Sequence, residues 1–484
     1  MTTTQSGATP RVAIIGAGVS GLCMAIRLRE AGIETFTVFE KSSTVGGTWR
    51  DNTYPGLFCD VPSRYFQYSF APNPDWTRLF SPGPEIGAYL ERVADEYRLR
   101  ERIRFGVELR EAHWEDGRWI LTGDGVREEA DFVVTGCGFL HRPSVPDIPG
   151  LDTFAGASFH SSRWDHHVPL TGRVGIVGTG STGVQIVAEL AGTPARLVQF
   201  TRTPQWVFPT VNPRYTRLSA AVYRRFPKLM DVAYRGHQWW FEALLMNALL
   251  RDGIPRRLVG AGCRLALRSV RDPGLRARLT PRDEPGCKRL VASAGYYRAV
   301  QRPDVDVVTT AIDHVEPRGV VTIDGVLHEL DVLVLATGFD THALVRPMEF
   351  TGPAGATLSD AWAHGPRGYD TVAVPGLPNL FMLMGPSSPV NISSMFNVAE
   401  AQAGYALAMI TRWAAAGRTA LAPRADAAER FTAGLQDALQ GSIWLSGCQS
   451  WYLTDDGTPV IWPASPAAHR ELLDEPRLAD YERV

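Results

Sequence analysis

The chain has 484 residues, 45% of them hydrophobic and 21% charged, with a net charge of −2. That length is too great for one ordinary core and implies two or three domains. The near-neutral balance gives the chain as a whole no electrostatic reason to seek nucleic acid or an acidic membrane. Six cysteines (Cys23, Cys59, Cys137, Cys263, Cys287 and Cys448) are scattered without a CxxC pair. That pattern suits a reducing cytoplasm and argues against a disulfide scaffold or a zinc site. The opening MTTTQSGATPR has no apolar signal core, so a cytoplasmic location is expected. No window holds the eighteen or more apolar residues of a spanning helix. The nearest, 239–250, is short, is interrupted by Glu242 and reads as a buried helix face.

In chain order, the run RVAII at 11–15 reads as a buried parallel strand. It passes at once into Gly16, Ala17, Gly18, Val19, Ser20 and Gly21. A helix is predicted over 22–31 with Gly32 as its C-terminal cap, then a strand over 34–39 that ends at Glu40. Strand, GxGxxG, helix, strand and acid in this order make a dinucleotide fold. Gly16 makes the tight turn, Gly18 lets the backbone approach a pyrophosphate, and Gly21 packs the helix on the strand. Ser20 lies in the loop that runs into that helix, whose free N-terminal N–H groups favour an anion. Glu40 is placed to accept hydrogen bonds from a ribose.

A second unit repeats the pattern. The run RVGIV at 173–177 leads into Gly178, Thr179, Gly180, Ser181, Thr182 and Gly183, a helix over 184–191 and a strand over 195–201 that ends at Arg202. Glu40 lies nineteen positions after Gly21, and Arg202 lies nineteen after Gly183. A carboxylate binds a free ribose diol and repels a 2′-phosphate, whereas a guanidinium grips that phosphate in a charge-assisted fork. The first loop therefore fits FAD (or NAD) and the second fits NADP; a solvated surface arginine is the plain alternative for Arg202.

Two acid-led apolar strands, 131–134 and 331–335, each end in a small-residue turn and read as counterparts where the chain changes domain. The first precedes a proline-rich linker at 142–150. The expected fold class is α/β, with two Rossmann-like dinucleotide-binding domains. The FAD-binding domain spans 1–147 and resumes over 337–484, with the NADP-binding domain at 148–336 between them. Residues from about 213 to 285 are helical in pattern and rich in arginine, and read as a helical insertion in the NADP domain. Their charge marks a solvated face or a partner surface.

The segment between the loops carries Phe154, Gly156, His160, Trp164 and Asp165 in the spacing FxGxxxHxxxWD. On these residues the chain resembles the class B flavin monooxygenases, and within them the type I Baeyer–Villiger monooxygenases. Trp164 stands where N- and S-oxygenating relatives usually carry Tyr or Phe. The resemblance covers nearly the whole chain and includes GGTW at 46–49, Tyr54-Pro55-Gly56, Cys59-Asp60, Lys288-Arg289 and Gly385-Pro386. It implies a soluble FAD- and NADPH-dependent oxidoreductase that takes O2 and a hydrophobic ketone. One oxygen atom is inserted beside the carbonyl through a C4a-peroxyflavin, giving an ester or lactone. A flavin-containing N- or S-oxygenase of the same architecture is the alternative. A disulfide reductase would need a cysteine pair near the flavin, and the sequence displays none.

The resemblance also assigns roles. Arg289 supplies the fixed positive charge that keeps the peroxide deprotonated and stabilises the oxyanion of the adduct. Asp60 positions Arg289 and the nicotinamide near the flavin. His160 aligns the domains and holds cofactor more than it moves protons, a structural histidine being the alternative. Gly47, Thr48, Trp49, Asp51, Met395 and the backbone near Val107 are further FAD contacts; Phe66 falls where some relatives carry a flavin-contacting tyrosine and is left out. Thr203, Lys288 and Arg289 join Arg202 around NADP, and Trp451 closes over it from a loop or is a core tryptophan. Apolar residues around 206–211 and 387–396 suggest the hydrophobic ketone. A monomer or weak oligomer without metal is expected.

Overall fold

The computed structural model describes residues 9–388, 393–415, 418–448, 450–454 and 457–484, with side chains described for these except 243, 244, 414 and 415. Two parallel sheets organise the chain. Their strands are β1 (Val12–Ile15), β2 (Phe36–Glu40), β3 (Ile103–Phe105), β4 (Phe132–Thr135), β5 (Ala157–His160), β6 (Arg173–Val177), β7 (Arg196–Phe200), β8 (Val305–Val308), β9 (Val332–Leu335) and β10 (Leu380–Met382). The first sheet has the order β10-β4-β1-β2-β3 and the second β5-β9-β6-β7-β8. Each residue of β1, β4 and β9 is buried, as expected for short β-branched runs covered on both faces.

The sheets share one plan. In each, the strand entering the glycine loop is central, the strand leading to Glu40 or Arg202 lies on one side, and the acid-led strand lies on the other. Val12 is in register with Phe36 and Phe132, and Val174 with Leu197 and Val332. Both glycine loops therefore leave the carboxyl ends of central strands, where open α/β sheets bind nucleotides.

Helix α1 (Val19–Glu30) and helix α2 (Ser181–Leu190) each begin three residues before their predicted starts. The last glycine of each loop is already helical, because the helix must press on the turn beneath it. A Cβ on Gly21 would lie 1.8 Å from the Gly16 carbonyl oxygen, and one on Gly183 would lie 2.4 Å from that of Gly178.

Beyond β7 the chain forms α3 (Arg217–Arg225), α4 (Pro227–Phe241), a π-helical turn (Glu242–Met246), a short helix (Asn247–Leu250), α5 (Ile254–Arg268) and α6 (Pro273–Arg278). The stretch 239–250, expected to be a buried face, is so only in part. Phe241, Met246, Ala248 and Leu249 are buried, but Trp239 and Trp240 are 72% and 48% exposed. Adjacent residues on a helix point about 100° apart, so an unbroken apolar run cannot hide on one face. After β9 the chain rejoins the first sheet at β10, and helix α7 (Met395–Ala415) packs on α1.

The cysteines are not all isolated. Cys287 and Cys448, 161 residues apart, form a disulfide with Cα atoms 6.2 Å apart. No local spacing announces a pair so distant in sequence. Cys23, Cys59 and Cys263 are buried free thiols, and Cys137 is half-buried.

Candidate active site

The first cradle is built where β1 meets α1. Gly16 adopts φ +98°, and its N–H bonds the Phe39 carbonyl at 2.8 Å. A second loop crosses above it, with the Gly47 Cα 3.6 Å from where a Cβ on Gly18 would sit. No side chain caps α1, so its first N–H groups remain open to an anion. Glu40 is buried; one carboxylate oxygen accepts from the Ala17 N–H at 2.8 Å and the other from the Ser42 N–H at 2.9 Å. Arg50 lies 3.2 Å from Glu40, a partner that no sequence spacing indicated.

A cavity of about 470 Å³ extends from this cradle. Gly16, Gly18, Ser20, Glu40 and Gly47 line it at one end. Thr48, Trp49, Asp51, Val107 and Met395 also reach it, as predicted residues drawn from three separate stretches. Gly21 does not, being packed under the turn, and Asp60 does not, since it lines a different cavity. Phe66, set aside on sequence, does line it and meets Trp49 edge-on at 5.5 Å. Two facing glycines, an open helix terminus and a cavity of this size fit a dinucleotide such as FAD.

The second cradle has a strained turn of the same kind. Gly178 adopts φ +127°, and a Cβ there would lie 2.2 Å from the Ala336 carbonyl oxygen. Gly180 precedes the first turn of α2, which holds Ser181, Thr182 and Gly183. The Thr179 hydroxyl donates to the Thr203 carbonyl at 2.7 Å, tying the loop to the exposed Arg202 segment. Lys288 is held by Asp283 at 2.7 Å, a carboxylate that the sequence did not single out. The segment Tyr54-Pro55-Gly56 leans on α2: the Tyr54 hydroxyl donates to Gln185 at 3.0 Å, and a Cβ on Gly56 would lie 2.8 Å from the Gln185 carbonyl oxygen.

Asp60 and Arg289 meet in a separate cavity of about 250 Å³ whose other walls include Phe80, Phe208, Phe241 and Leu249. Arg289 Nη2 donates to both Asp60 carboxylate oxygens, at 2.8 and 2.9 Å. The Arg289 side chain is 36% exposed and lines the cavity. Asp60 raises its pKa above the ordinary arginine range, so the cation is permanent. The buried Tyr452 hydroxyl is hydrogen-bonded to Arg289, and burial pushes its own pKa up. Tyr452 follows Cys448 by four residues and Arg289 follows Cys287 by two, so the disulfide clips their segments together. The result is one fixed cation at the edge of an apolar space, suited to stabilising negative charge away from water.

Known proteins are similar to this chain over nearly its whole length. The family described as flavin-binding monooxygenase-like matches residues 9–250. An uncharacterised monooxygenase of Mycobacterium tuberculosis is 52% identical over 99% of this chain and 97% of its own. A Baeyer–Villiger monooxygenase of Streptomyces coelicolor is 39% identical over 98% of this chain and 92% of its own. The crystal structure of OTEMO in complex with FAD and NADP superposes with a TM-score of 0.88 at 28% identity, covering 99% of this chain and 100% of that one. This chain is a flavin-binding monooxygenase. It belongs to the Baeyer–Villiger branch, and its cofactors are FAD and NADPH.

Within this monooxygenase, His160 and the 142–150 linker meet at Gly338, in the turn that follows β9. The Ser162 N–H donates to His160 Nδ1 at 3.1 Å, which assigns the ring proton to Nε2; Nε2 then donates to the Gly338 carbonyl at 3.0 Å. The Ser144 N–H reaches the same carbonyl at 2.9 Å. Burial lowers the His160 pKa and keeps the ring neutral. Trp451 stacks on Phe139, a wall residue of the cavity at the first cradle, at 5.6 Å and 19°. The cysteine pair that the sequence did not display is not at that cavity, whose walls among the described residues include only Cys137. Of the apolar stretch 387–396, residues 389–392 lie outside the described residues.

Proposed function

We propose that this monooxygenase inserts one atom of O2 beside the carbonyl of a hydrophobic ketone, giving an ester or lactone. In balance, ketone, O2, NADPH and a proton become ester, NADP+ and water. The observation that carries the reading is Arg289, a lone fixed cation on the wall of an otherwise largely apolar cavity. FAD, when bound and reduced by NADPH, supplies the activated oxygen.

The chain's own residues do the rest. The Arg289 guanidinium binds the oxygen on which negative charge develops, which a neutral donor would do less well. Asp60 engages Nη2, leaving other N–H groups for Tyr452 and for a ligand in the cavity. Phe208, Phe241 and Leu249 keep water from that oxygen. The cradle at Gly16, Gly18 and Gly47, with Glu40 and the Trp49 side, holds FAD. Arg202, with Thr203 and Lys288, holds the 2′-phosphate of NADPH, and Lys288 must then share its charge with Asp283. His160, neutral and bound to Gly338, sets the angle between an FAD unit over 1–147 and 337–484 and an NADP unit over 148–336. Trp451 steadies the flavin wall through Phe139. The cytoplasm, which supplies NADPH, is the place of work. Incubating the FAD-loaded enzyme with NADPH and a panel of hydrophobic ketones, amines and thioethers tests the reading: an ester heavier than its ketone by one oxygen atom is expected, and N-oxides or sulfoxides without any ester overturn it.

A further inference from the structure

Helices α4 and α5 each carry a second apolar face. On α4, Leu229, Val232, Trp239 and Trp240 are exposed, with Gly236 between them, and share one side of the helix. Met230 and Phe241 turn inward. On α5, Ile254, Leu258, Ala261 and Leu265 recur at i, i+4, i+7 and i+11 and are exposed. They lie opposite the buried Val259, Cys263 and Leu267. A surface helix of a soluble protein is ordinarily polar on the side away from its core. Here that side is apolar, and basic residues flank it: Lys228 and Arg235 on α4, and Arg257, Arg264 and Arg268 on α5.

The charge of the region is equally skewed. Residues 214–278 hold fourteen Arg and Lys against four Asp and Glu, a net of +10 in a chain whose total is −2. The whole-chain balance, read above as indifference to acidic membranes, conceals this patch. Such a surface repels a second copy of itself and favours an anionic partner. Exposed tryptophan and leucine between arginines are of no use to a polyphosphate, but they are the composition of helices that lie in a lipid interface. Among the described residues no helix is long and apolar enough to cross a membrane, so the contact is with its surface. Trp240 is also a wall of the cavity that holds Arg289, together with the exposed Val211. The ridge and the apolar cavity are therefore continuous at one side chain.

We propose that α4 and α5 seat this monooxygenase on an anionic lipid bilayer, with Trp239 and Leu265 in the headgroup region and the flanking arginines on lipid phosphates. On the function proposed above, a hydrophobic substrate would pass from the lipid into the cavity past Trp240. The docking itself is independent of that reading and is measured without turnover.

The test is co-sedimentation of the FAD-loaded full chain with vesicles of phosphatidylcholine alone or mixed equally with phosphatidylglycerol. At least about tenfold stronger binding to the anionic vesicles is expected, weakened by salt, with a blue shift of tryptophan emission. The joint variant Val232→Ser, Trp239→Ser, Leu258→Ser, Leu265→Ser should lose this binding while keeping FAD and NADPH oxidation in solution. The variant Arg257→Glu, Arg264→Glu, Arg268→Glu should lose the preference for anionic lipid. No sedimentation with either vesicle overturns the proposal, and so does undiminished binding by the serine variant. A lipid-free dimer that the serine variant dissolves assigns the face to a second copy and overturns it too. Should the serine variant not retain FAD, the charge variant decides: unchanged preference for anionic vesicles overturns the proposal.

Discussion

Arg289 Nη2 sits 2.8 and 2.9 Å from the two carboxylate oxygens of Asp60, from which it is 229 residues distant in the chain. The pair fixes a permanent cation on the wall of the apolar cavity, and each partner's removal has a different expected consequence. Asp60→Asn keeps a hydrogen-bond acceptor but loses the charge that orients Arg289. Product formation should fall about tenfold or more with FAD still bound, because charge-assisted bonds contribute about 1.5–3 kcal/mol. Single-turnover product yield checks this; a yield equal to the parent's would separate Asp60 from the reaction.

On the proposed function, Arg202 discriminates between nucleotides. Arg202→Ala should raise KM for NADPH by about 10- to 100-fold, the loss of one charge-assisted phosphate contact, and leave KM for NADH nearly unchanged. Steady-state NADPH and NADH oxidation measure it. Equal effects on both would make Arg202 a surface arginine.

The two glycine loops are separable. Gly21→Ala places a Cβ 1.8 Å from a carbonyl oxygen of the FAD cradle, and should yield protein without FAD. Gly183→Ala creates the matching 2.4 Å clash in the other cradle, and should retain FAD but bind NADPH at least tenfold more weakly. FAD absorbance and NADPH titration distinguish them.

These features were legible in the sequence because their signals are local. Apolar runs of four or five residues, glycines at fixed offsets and a charge at each strand end are set by backbone geometry over some thirty residues. Helix starts were read three residues late, since GxGxxG looks like a loop although its final glycine is already in the helix. What the sequence hid is pairing at a distance. Arg50 on Glu40, Tyr452 on Arg289 and Cys287 on Cys448 depend on how separate segments pack. Trp239 and Trp240 were read as buried because hydrophobicity alone does not say which side of a helix is covered.

His160 and the 142–150 linker both hold the Gly338 carbonyl, so His160→Ala should weaken the coupling between NADPH oxidation and product more than it weakens FAD binding. His160→Gln, whose amide can donate to the same carbonyl, should recover part of it. The ratio of product formed to NADPH consumed is the readout, and a rate loss without a change in that ratio would point to proton transfer instead.

His469 gives a pH dependence of stability. It is buried beside Trp462, its Nε2 3.0 Å from the Thr371 hydroxyl, and burial pushes its pKa down to about 3. Unfolded histidine titrates near 6.5. Between these values the unfolded chain holds a proton that the folded chain lacks. The contribution is complete above about pH 6.5 and is lost as pH falls toward 3, by about 1.4 kcal/mol per pH unit. His469→Gln should flatten that slope in denaturant titrations at successive pH values; an unchanged slope would assign it to other groups.

The most direct measurement supplies isotopically labelled dioxygen, NADPH and a hydrophobic ketone that the parent enzyme accepts, and compares parent with Arg289→Ala at equal FAD content. The expected result is labelled ester or lactone from the parent, and a loss of at least about a hundredfold in the variant, the scale for removing a charge that stabilises an oxyanion. Labelled ester formed by the variant at the parent's rate would contradict the role of Arg289.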